Sequence, residues 1–543
     1  TNPFIFLRVP SPTGSSRVGL GLIICPSRRP VSWTLERLDH MAEVVNAEAM
    51  SVEDEDLTIP DAHGIHACPG DGVSSRASSG RDVCEVRWMA SGCTACSVSA
   101  TPSMEVAEVK AQVEARVGIP VGEQRLFAGG RELLPGDVAT PTRTPAEPVF
   151  LLVRSVTNPR LTNLAYFHQE GATKPLPSGG FTAVRRLAAA IHGEVFEYSW
   201  RFEEHELEQS VAVKKVVTQR TAKQPELETD ERSIHVLRRP RPDPEDALAE
   251  IGVLSYLAKQ PDLPLYLLRM FGVFADASHT WLVTEMCEGG ELFVLAASGK
   301  ALAEAELRRY MWQLLQAVNY LHAHSVGHRD ISLENILLKD GDIRLMDFGM
   351  AVQSHSASGT MLRYFCCVGK DFYRAPECYV PQGSTVTVVA PASSSPGDVV
   401  LMPSGGVLCE VKLPLNSKPG GVCVADLWGY AVPPADVFSC AMCLFILGYQ
   451  FPPWHRAVLS DSNFGFVHGR GDGGIAALLK TWRKQPMAQE ATQLLVEMVR
   501  SEPTKRPSAA ACLESPWFAS MEKRVPLHCN SSSAMSAAVL GGS

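Results

Sequence analysis

The sequence lacks a cysteine framework, a long apolar run and a basic excess, and each absence removes a class of protein. Its 15 cysteines are odd in number and scattered without a framework of spacings. In a chain with no convincing signal peptide, that pattern reads as free thiols in a reducing compartment. Cys93-x-x-Cys96 gives little case for a metal. The most apolar run, Ala441 to Leu447, is too short to span a bilayer and reads as part of a buried helix. A formal net charge of −9 over 543 residues gives no electrostatic case for nucleic acid or an anionic membrane. No D-x-[DN]-x-[DN]-G pattern occurs, so direct calcium control has no support. Together these absences predict an intracellular protein, cytoplasmic or nuclear, with no nucleic-acid or membrane partner. The chain begins at Thr1, and Met41 and Met50 are candidate true starts.

What is present suits several globular units with ample core: 45% of residues are hydrophobic and 20% charged. Residues 1–81 mix prolines, serines and glycines with the acidic patch Glu53-Asp54-Glu55-Asp56. They show no sustained period and are expected to be disordered. From 82 to 154 the pattern changes. Val83 to Trp88 and Thr94 to Thr101 read as strands, separated by Ala90-Ser91-Gly92. Val106 to Val117 carries apolar residues at helical spacing and is stopped by Gly118 and Pro120. Gln124 to Leu133 and Val149 to Arg154 supply further strands. Residues 155–180, with Pro175, Pro177 and Gly179-Gly180, read as a linker; 181–520 form the largest unit and 521–543 a C-terminal tail.

Inside the largest unit, His328-Arg329-Asp330, Asn335 and Asp347-Phe348-Gly349 stand in order between apolar strand-like runs. Phosphoryl transfer needs one carboxylate near the attacking hydroxyl, a second on Mg²⁺ and an amide completing the metal shell. Gly327 to Leu337 resembles the catalytic loop of protein kinases, and Leu345 to Gly349 the metal-binding segment that follows it. The resemblance implies Asp330 as the residue beside the attacking hydroxyl, Asp347 and Asn335 as Mg²⁺ ligands, ATP as the donor and protein as the acceptor. Val211-Ala212-Val213-Lys214 is similar to the strand that carries the ATP-phosphate lysine, and Glu250 to the helix glutamate that pairs with it. Trp281 to Phe293 resembles the kinase strand, hinge and following helix. That likeness implies Thr284 as gatekeeper, adenine bonded by the backbone from Glu285 to Cys287, and Glu291 facing the ribose. Val195, Ala212 and Leu337 would sandwich adenine. Leu254, Met270, His328 and Phe348 would form an apolar column anchored on Asp436. Tyr373 to Glu377 resembles the end of the activation segment, and Arg506 the arginine that pairs with that glutamate.

Several positions depart from the family pattern. Of the glycine-rich loop only Gly193 remains, with Ala188 and Ala190 where the first two glycines belong. A methyl group there narrows backbone freedom and obstructs close approach to phosphate. Ser332 stands where serine/threonine kinases usually have lysine, and Lys370 where they usually have threonine. Cys366 stands where an activating phosphothreonine is usual, which leaves either constitutive activity or a substitute site among Ser356, Ser358, Thr360 and Tyr364. Between Glu377 and Asp436 an insertion spans roughly 381–431, long for a structureless loop. Thr385 to Val389, Val399 to Met402 and Val407 to Leu413 predict an inserted hairpin or small sheet, with a retained non-coding segment as the alternative.

The strand-strand-helix-strand-strand order of 82–154, with Gly118-Ile119-Pro120, Gln124-Arg125-Leu126 and Gly130, resembles ubiquitin-like domains. No Gly-Gly ends the segment, so the resemblance implies a built-in module, with a ubiquitin-receptor-type partner at a surface near Phe127. The expected architecture is multidomain α+β. A ubiquitin-like β-grasp domain (82–154) precedes a bilobal protein-kinase fold, with a β-rich small lobe over 181–286 and a helical large lobe over 287–520. The expected activity is that of a serine/threonine-type protein kinase. The alternatives are a pseudokinase scaffold, favoured by Ala188 and Ala190, and a ubiquitin-pathway adaptor.

Overall fold

The computed structural model describes residues 82–154 and 173–217 apart from short internal stretches, and 247–528 apart from a few loop positions. The region 1–81, expected to be disordered, and the tail after 528 lie outside the described residues. The N-terminal unit comprises strands β1 (Asp82–Trp88) and β2 (Thr94–Ala100), helix α1 (Val106–Val117), then β3 (Gln124–Ala128), β4 (Arg131–Leu133), β5 (Thr142–Arg143) and β6 (Pro148–Arg154). The sheet order is β2-β1-β6-β3-β4, with β5 hydrogen-bonded to β6. β1 runs parallel to β6 and antiparallel to β2. Val106, Val109, Val113 and Val117 recur at helical spacing, so α1 presents one buried face. That face joins Val86, Val98, Leu126, Phe150 and Leu152 in a single core.

The next unit is a second six-stranded sheet. Its strands are β7 (Thr173–Pro175), β8 (Phe181–Ala190), β9 (Gly193–Arg201), β10 (Glu208–Val217), β11 (Met270–Ala275) and β12 (His279–Glu285), with helix α2 (Ala247–Leu257) between β10 and β11. The order is β7-β11-β12-β10-β9-β8. β7 pairs in parallel with β11, so the stretch expected as linker over 155–180 ends inside this sheet. Residues two apart share a face of a strand, and directly opposed residues share a face of the sheet. The outer face is aromatic: Tyr198, Trp200, Phe274 and Trp281 pack with Val211 and Val213, and Phe181 stacks on Trp200 at 4.9 Å. The other face carries Val195, Ala212 and Lys214, because Val195 lies opposite Lys214.

The remaining residues form a mainly helical unit around α3 (Glu304–Ala323). The hairpin of β13 (Ile336–Lys339) and β14 (Asp342–Leu345) follows it. The insertion is a folded sheet of β15 (Thr385–Val389), β16 (Val399–Ser404), β17 (Val407–Lys412) and β18 (Val422–Leu427), in the order β15-β18-β17-β16. It has its own core of Val388, Cys409, Val411, Leu413, Ala425 and Leu427. β18 is a strand that the sequence reading does not assign. The chain then enters α4 (Val432–Tyr449), which is buried along nearly its whole length. The apolar run at 441–447 therefore extends into a longer helix than expected. Among the described residues α4 is the one helix long and apolar enough to cross a membrane, and 78% of it is buried within the fold.

The N-terminal unit touches the insertion. Trp428, just after β18, is 4% exposed and belongs to the core that α1 covers. The Lys412 ammonium donates to the Val117 carbonyl at 3.2 Å and lies 4.3 Å from the centre of the Trp428 ring. The last turn of α1 is thus held on the inserted sheet.

Candidate active site

Lys214 and Glu250 meet across the small sheet and α2. The Lys214 Nζ donates to Glu250 Oε2 at 2.6 Å, and the two side chains are only 13% and 9% exposed. The apolar side of α2 sets this geometry: Ile251 and Leu254 are buried in the same core as Phe348, which holds Glu250 towards the sheet. Gly193, expected in the phosphate loop, has a packing reason of its own. A Cβ there would lie 1.8 Å from the Lys215 carbonyl oxygen, because β9 runs hard against β10. Ala188 pairs with Val195 and Ala190 with Gly193, so both alanines lie in the hairpin of β8 and β9. The turn residues 191–192 lie outside the described residues.

Asp436 at the start of α4 organises the loop that carries His328, Asp330 and Asn335. It is 1% exposed and accepts from the His328 amide at 2.9 Å and the Arg329 amide at 2.8 Å. A third bond at 3.0 Å joins it to His322 Nε2. The His328 Nε2 donates to the Met346 carbonyl at 3.1 Å, and Nδ1 accepts from the Asp330 amide at 3.3 Å. These bonds fix a neutral imidazole with its proton on Nε2. The His328 and Phe348 rings lie 5.2 Å apart, and Leu254 and Phe348 share one core with Met270 packed on it. Of the expected column, the His328–Phe348 pair and the hold of Asp436 on the His328 amide are direct contacts.

Asn335 Nδ2 donates to the Asp330 carbonyl and to Asp330 Oδ2, both at 2.8 Å. Both bonds use the amide nitrogen, so the amide oxygen is the end that could face a cation. Asp347 has φ +66°, and its carboxylate accepts from the Gly349 amide at 3.4 Å. Hard oxygen donors of this kind suit Mg²⁺, which is usually held by one or two protein groups together with phosphates and water. Among the described residues no cluster of three or more His, Cys, Asp or Glu side chains could hold a metal ion. Cys96 of the Cys-x-x-Cys pair is buried, and burial raises its thiol pKa.

At the hinge the sequence reading points to backbone, and the structure adds a side-chain clamp. The Glu285 amide donates to the Arg269 carbonyl at 2.9 Å, so this N–H does not face adenine. Its buried carboxylate meets Lys339 Nζ at 3.1 Å, Arg344 Nε at 3.3 Å and the Arg269 amide at 2.9 Å. The hinge is thereby fastened to the β13–β14 hairpin. Cys287 is buried, which pushes its thiol up to about 12. Glu291 bridges to Leu337 on β13. Burial, then the nearby Glu334 carboxylate, raise the Glu291 carboxyl to about 7.

Two departures noted separately in the sequence lie side by side. Lys370 Nζ donates to Ser332 Oγ at 2.8 Å and to Asp330 Oδ2 at 3.1 Å, and the Lys370 amide donates to Asp330 Oδ1 at 3.2 Å. Burial opposes the Lys370 charge, but Asp330 and Glu334, with Asp347 behind them, hold it above the usual lysine range. The one clue in the sequence is the exchange itself, a lysine missing at 332 and an extra one at 370.

Three contacts hold the segment that follows Met350. Arg329 Nε donates to the Met350 carbonyl at 2.7 Å, and its guanidinium lies 5.2 Å from the Tyr364 ring centre. Tyr430 donates to the Cys366 carbonyl at 2.8 Å. Of the substitute sites, Tyr364 is buried with its hydroxyl bonded to the Gln353 carbonyl. Ser356 and Ser358 lie outside the described residues. The inserted sheet grips the same segment, since Arg363 pairs with the buried Glu410 at 2.8 Å. Glu377 and Arg506 form a fully buried pair, with Nη2 to Oε2 at 2.8 Å.

Comparison with known proteins agrees with this geometry. Residues 200–389 match the protein kinase domain family, so the chain contains a protein kinase domain; the match stops at the first inserted strand. The chain is 27% identical over 326 residues to CBL-interacting serine/threonine-protein kinase 10 of Arabidopsis thaliana, covering 58% of this chain and 51% of that protein. It is 26% identical over 275 residues to the serine/threonine-protein kinase CHK1 of Saccharomyces cerevisiae, covering 50% of this chain and 42% of that protein. The chain thus spans about half the length of such curated relatives.

Proposed function

We propose that this chain transfers the γ-phosphate of ATP to protein hydroxyls of serine or threonine. The observation that carries the reading is the closed Lys214–Glu250 pair at 2.6 Å, formed while Phe348 is buried beneath α2. That arrangement fixes an ammonium on the sheet face that also carries Val195 and Ala212, where the donor phosphates would lie. Asp330, oriented by Asn335 and Lys370, accepts the proton of the attacking hydroxyl. Val195, Ala212 and Leu337 line the adenine space, the backbone near Cys287 bonds its edge, and Glu291 accepts from the ribose. Mg²⁺, held by Asp347 and the Asn335 amide oxygen, would neutralise charge on the phosphates. Acceptors with serine or threonine accord with the relatives' type. The test is incubation of the full chain with Mg·ATP and a generic protein substrate, followed by phosphoamino-acid analysis. Phosphoserine or phosphothreonine is expected. Nucleotide binding without transfer would favour the pseudokinase reading.

The order of the N-terminal sheet, with its first and last strands parallel in the middle and a helix across one face, supports the ubiquitin-like reading of 82–154. Phe127 is half-buried with the Arg125 guanidinium 5.4 Å from its ring centre, which suits a surface for a ubiquitin-receptor-type partner. Pull-down by ubiquitin-receptor proteins, lost in Phe127→Ala, is the expected result; retention in the variant would remove Phe127 from that surface.

A further inference from the structure

Asp330 has an unusual neighbour. A buried carboxylate beside the reacting hydroxyl needs a cation to orient it and to meet charge that develops on the transferred phosphoryl. Within the catalytic loop itself, position 332 offers only a short hydroxyl, and Ser332 is fully buried. The cation comes from elsewhere. Lys370 extends from the activation segment, 38 residues beyond Ser332, and its Nζ occupies the space between Ser332 Oγ and Asp330 Oδ2. A longer side chain at 332 would collide with it. The backbone is shaped for this approach: Gly369 has φ +88°, and a Cβ there would lie 2.6 Å from the Arg329 carbonyl oxygen.

We propose that Lys370 and Ser332 act as one unit, in which the activation segment supplies the ammonium that orients Asp330 and contacts the transferred phosphoryl group. This rests on the kinase reading above. In the step, the acceptor hydroxyl oxygen forms a bond to the γ-phosphorus while the bond from that phosphorus to the β–γ bridging oxygen breaks. ADP leaves with the electron pair, and the hydroxyl proton passes to Asp330. Lys370 keeps its protons throughout and serves as a fixed charge. One consequence is structural. The cation rides on the segment that Arg363–Glu410 and Tyr430–Cys366 tie to the insertion and its flank, so segment placement and catalytic charge are set together.

The test compares the full-length chain with Lys370→Met, Lys370→Thr and the exchange Ser332→Lys/Lys370→Thr. Lys370→Met is expected to lower kcat on the order of a hundredfold while the KM for ATP moves by less than about threefold. The exchanged double variant, which returns an ammonium to the same space, is expected to recover at least about tenfold over Lys370→Thr. A purely structural lysine would not give that rescue. An active wild type with an equally active Lys370→Met overturns this assignment alone. So does a Lys370→Thr loss that the exchange fails to restore, once circular dichroism establishes that the double variant is folded. An inert wild type overturns the kinase reading, and this assignment with it.

Discussion

The nucleotide hairpin and the catalytic loop each depart from the protein-kinase pattern at two positions, and their surroundings differ. In the hairpin, Ala188 and Ala190 add methyl groups where backbone should close over phosphate, and an alanine methyl offers nothing in return. In the catalytic loop, Ser332 and Lys370 replace lysine and threonine, and the two newcomers touch at 2.8 Å. The first departure removes a property. The second takes an ammonium out of the loop at 332 and brings one to Asp330 from position 370. A departure from a motif is therefore judged by what fills the volume, and the count of mismatches says little.

That contrast can be pressed hardest at a buried ion pair. Glu377 and Arg506 are both fully buried, so Arg506→Met should leave an unpaired carboxylate and cost about 3–5 kcal/mol. Denaturant unfolding checks this. A cost below about 1 kcal/mol would mean that losing one partner is tolerated even there. At the chemistry itself, Asp347→Asn and Lys214→Met should each lower turnover on the order of a hundredfold or more, read by steady-state phosphorylation. Full activity in either would remove that residue from the site.

The contact between the N-terminal unit and the insertion is an intermediate case. Trp428→Ala empties a core to which both contribute, and about 2–4 kcal/mol of local stability should be lost. Amide exchange should speed up in α1 and in β17 and β18, with the α4 region unchanged; unchanged protection in α1 would make the contact incidental. Ionisation gives a smaller effect. Glu291 has a folded pKa raised to about 7, so it is largely protonated at pH 6 and ionised at pH 8. An ionised carboxylate is the stronger acceptor for ribose hydroxyls. The KM for ATP should fall across that window by a few-fold more in the wild type than in Glu291→Gln. Parallel profiles would detach Glu291 from the ribose. The smallest change is expected in the hairpin. Ala190→Gly should lower the KM for ATP by about two- to fivefold, by letting amides close on phosphate. An unchanged KM would make the alanines as well compensated as Ser332.

Much of the site was legible because its signals are local. His328 to Asp330, Asn335 and Asp347 to Gly349 lie in one short stretch whose order and flanking strands are read directly from the chain. The Lys214 strand and the Glu250 helix were readable by their likeness to the kinase pattern, although their pairing spans 36 residues. The four valines of α1 announced its buried face by their helical spacing. β18 was missed: Val422 to Leu427 follows Gly420-Gly421 and becomes a strand by pairing back on β15 and β17.

By itself the sequence determined the order and spacing of the His328–Asp330, Asn335 and Asp347–Gly349 motifs, the strand and helix order of the N-terminal unit, and the presence of a folded insertion. These follow from side-chain period and motif spacing, which act over a few residues to a few tens. Only the tertiary structure decided that Lys370 sits on Asp330, that Glu285 clamps the hinge with its carboxylate, and that Trp428 completes a core more than 270 residues away in the chain. A lysine, a glutamate or a tryptophan looks the same in sequence whether it is solvated or buried. Its role is fixed by the partner that folding brings within about 3–4 Å, and that proximity leaves no local pattern to read.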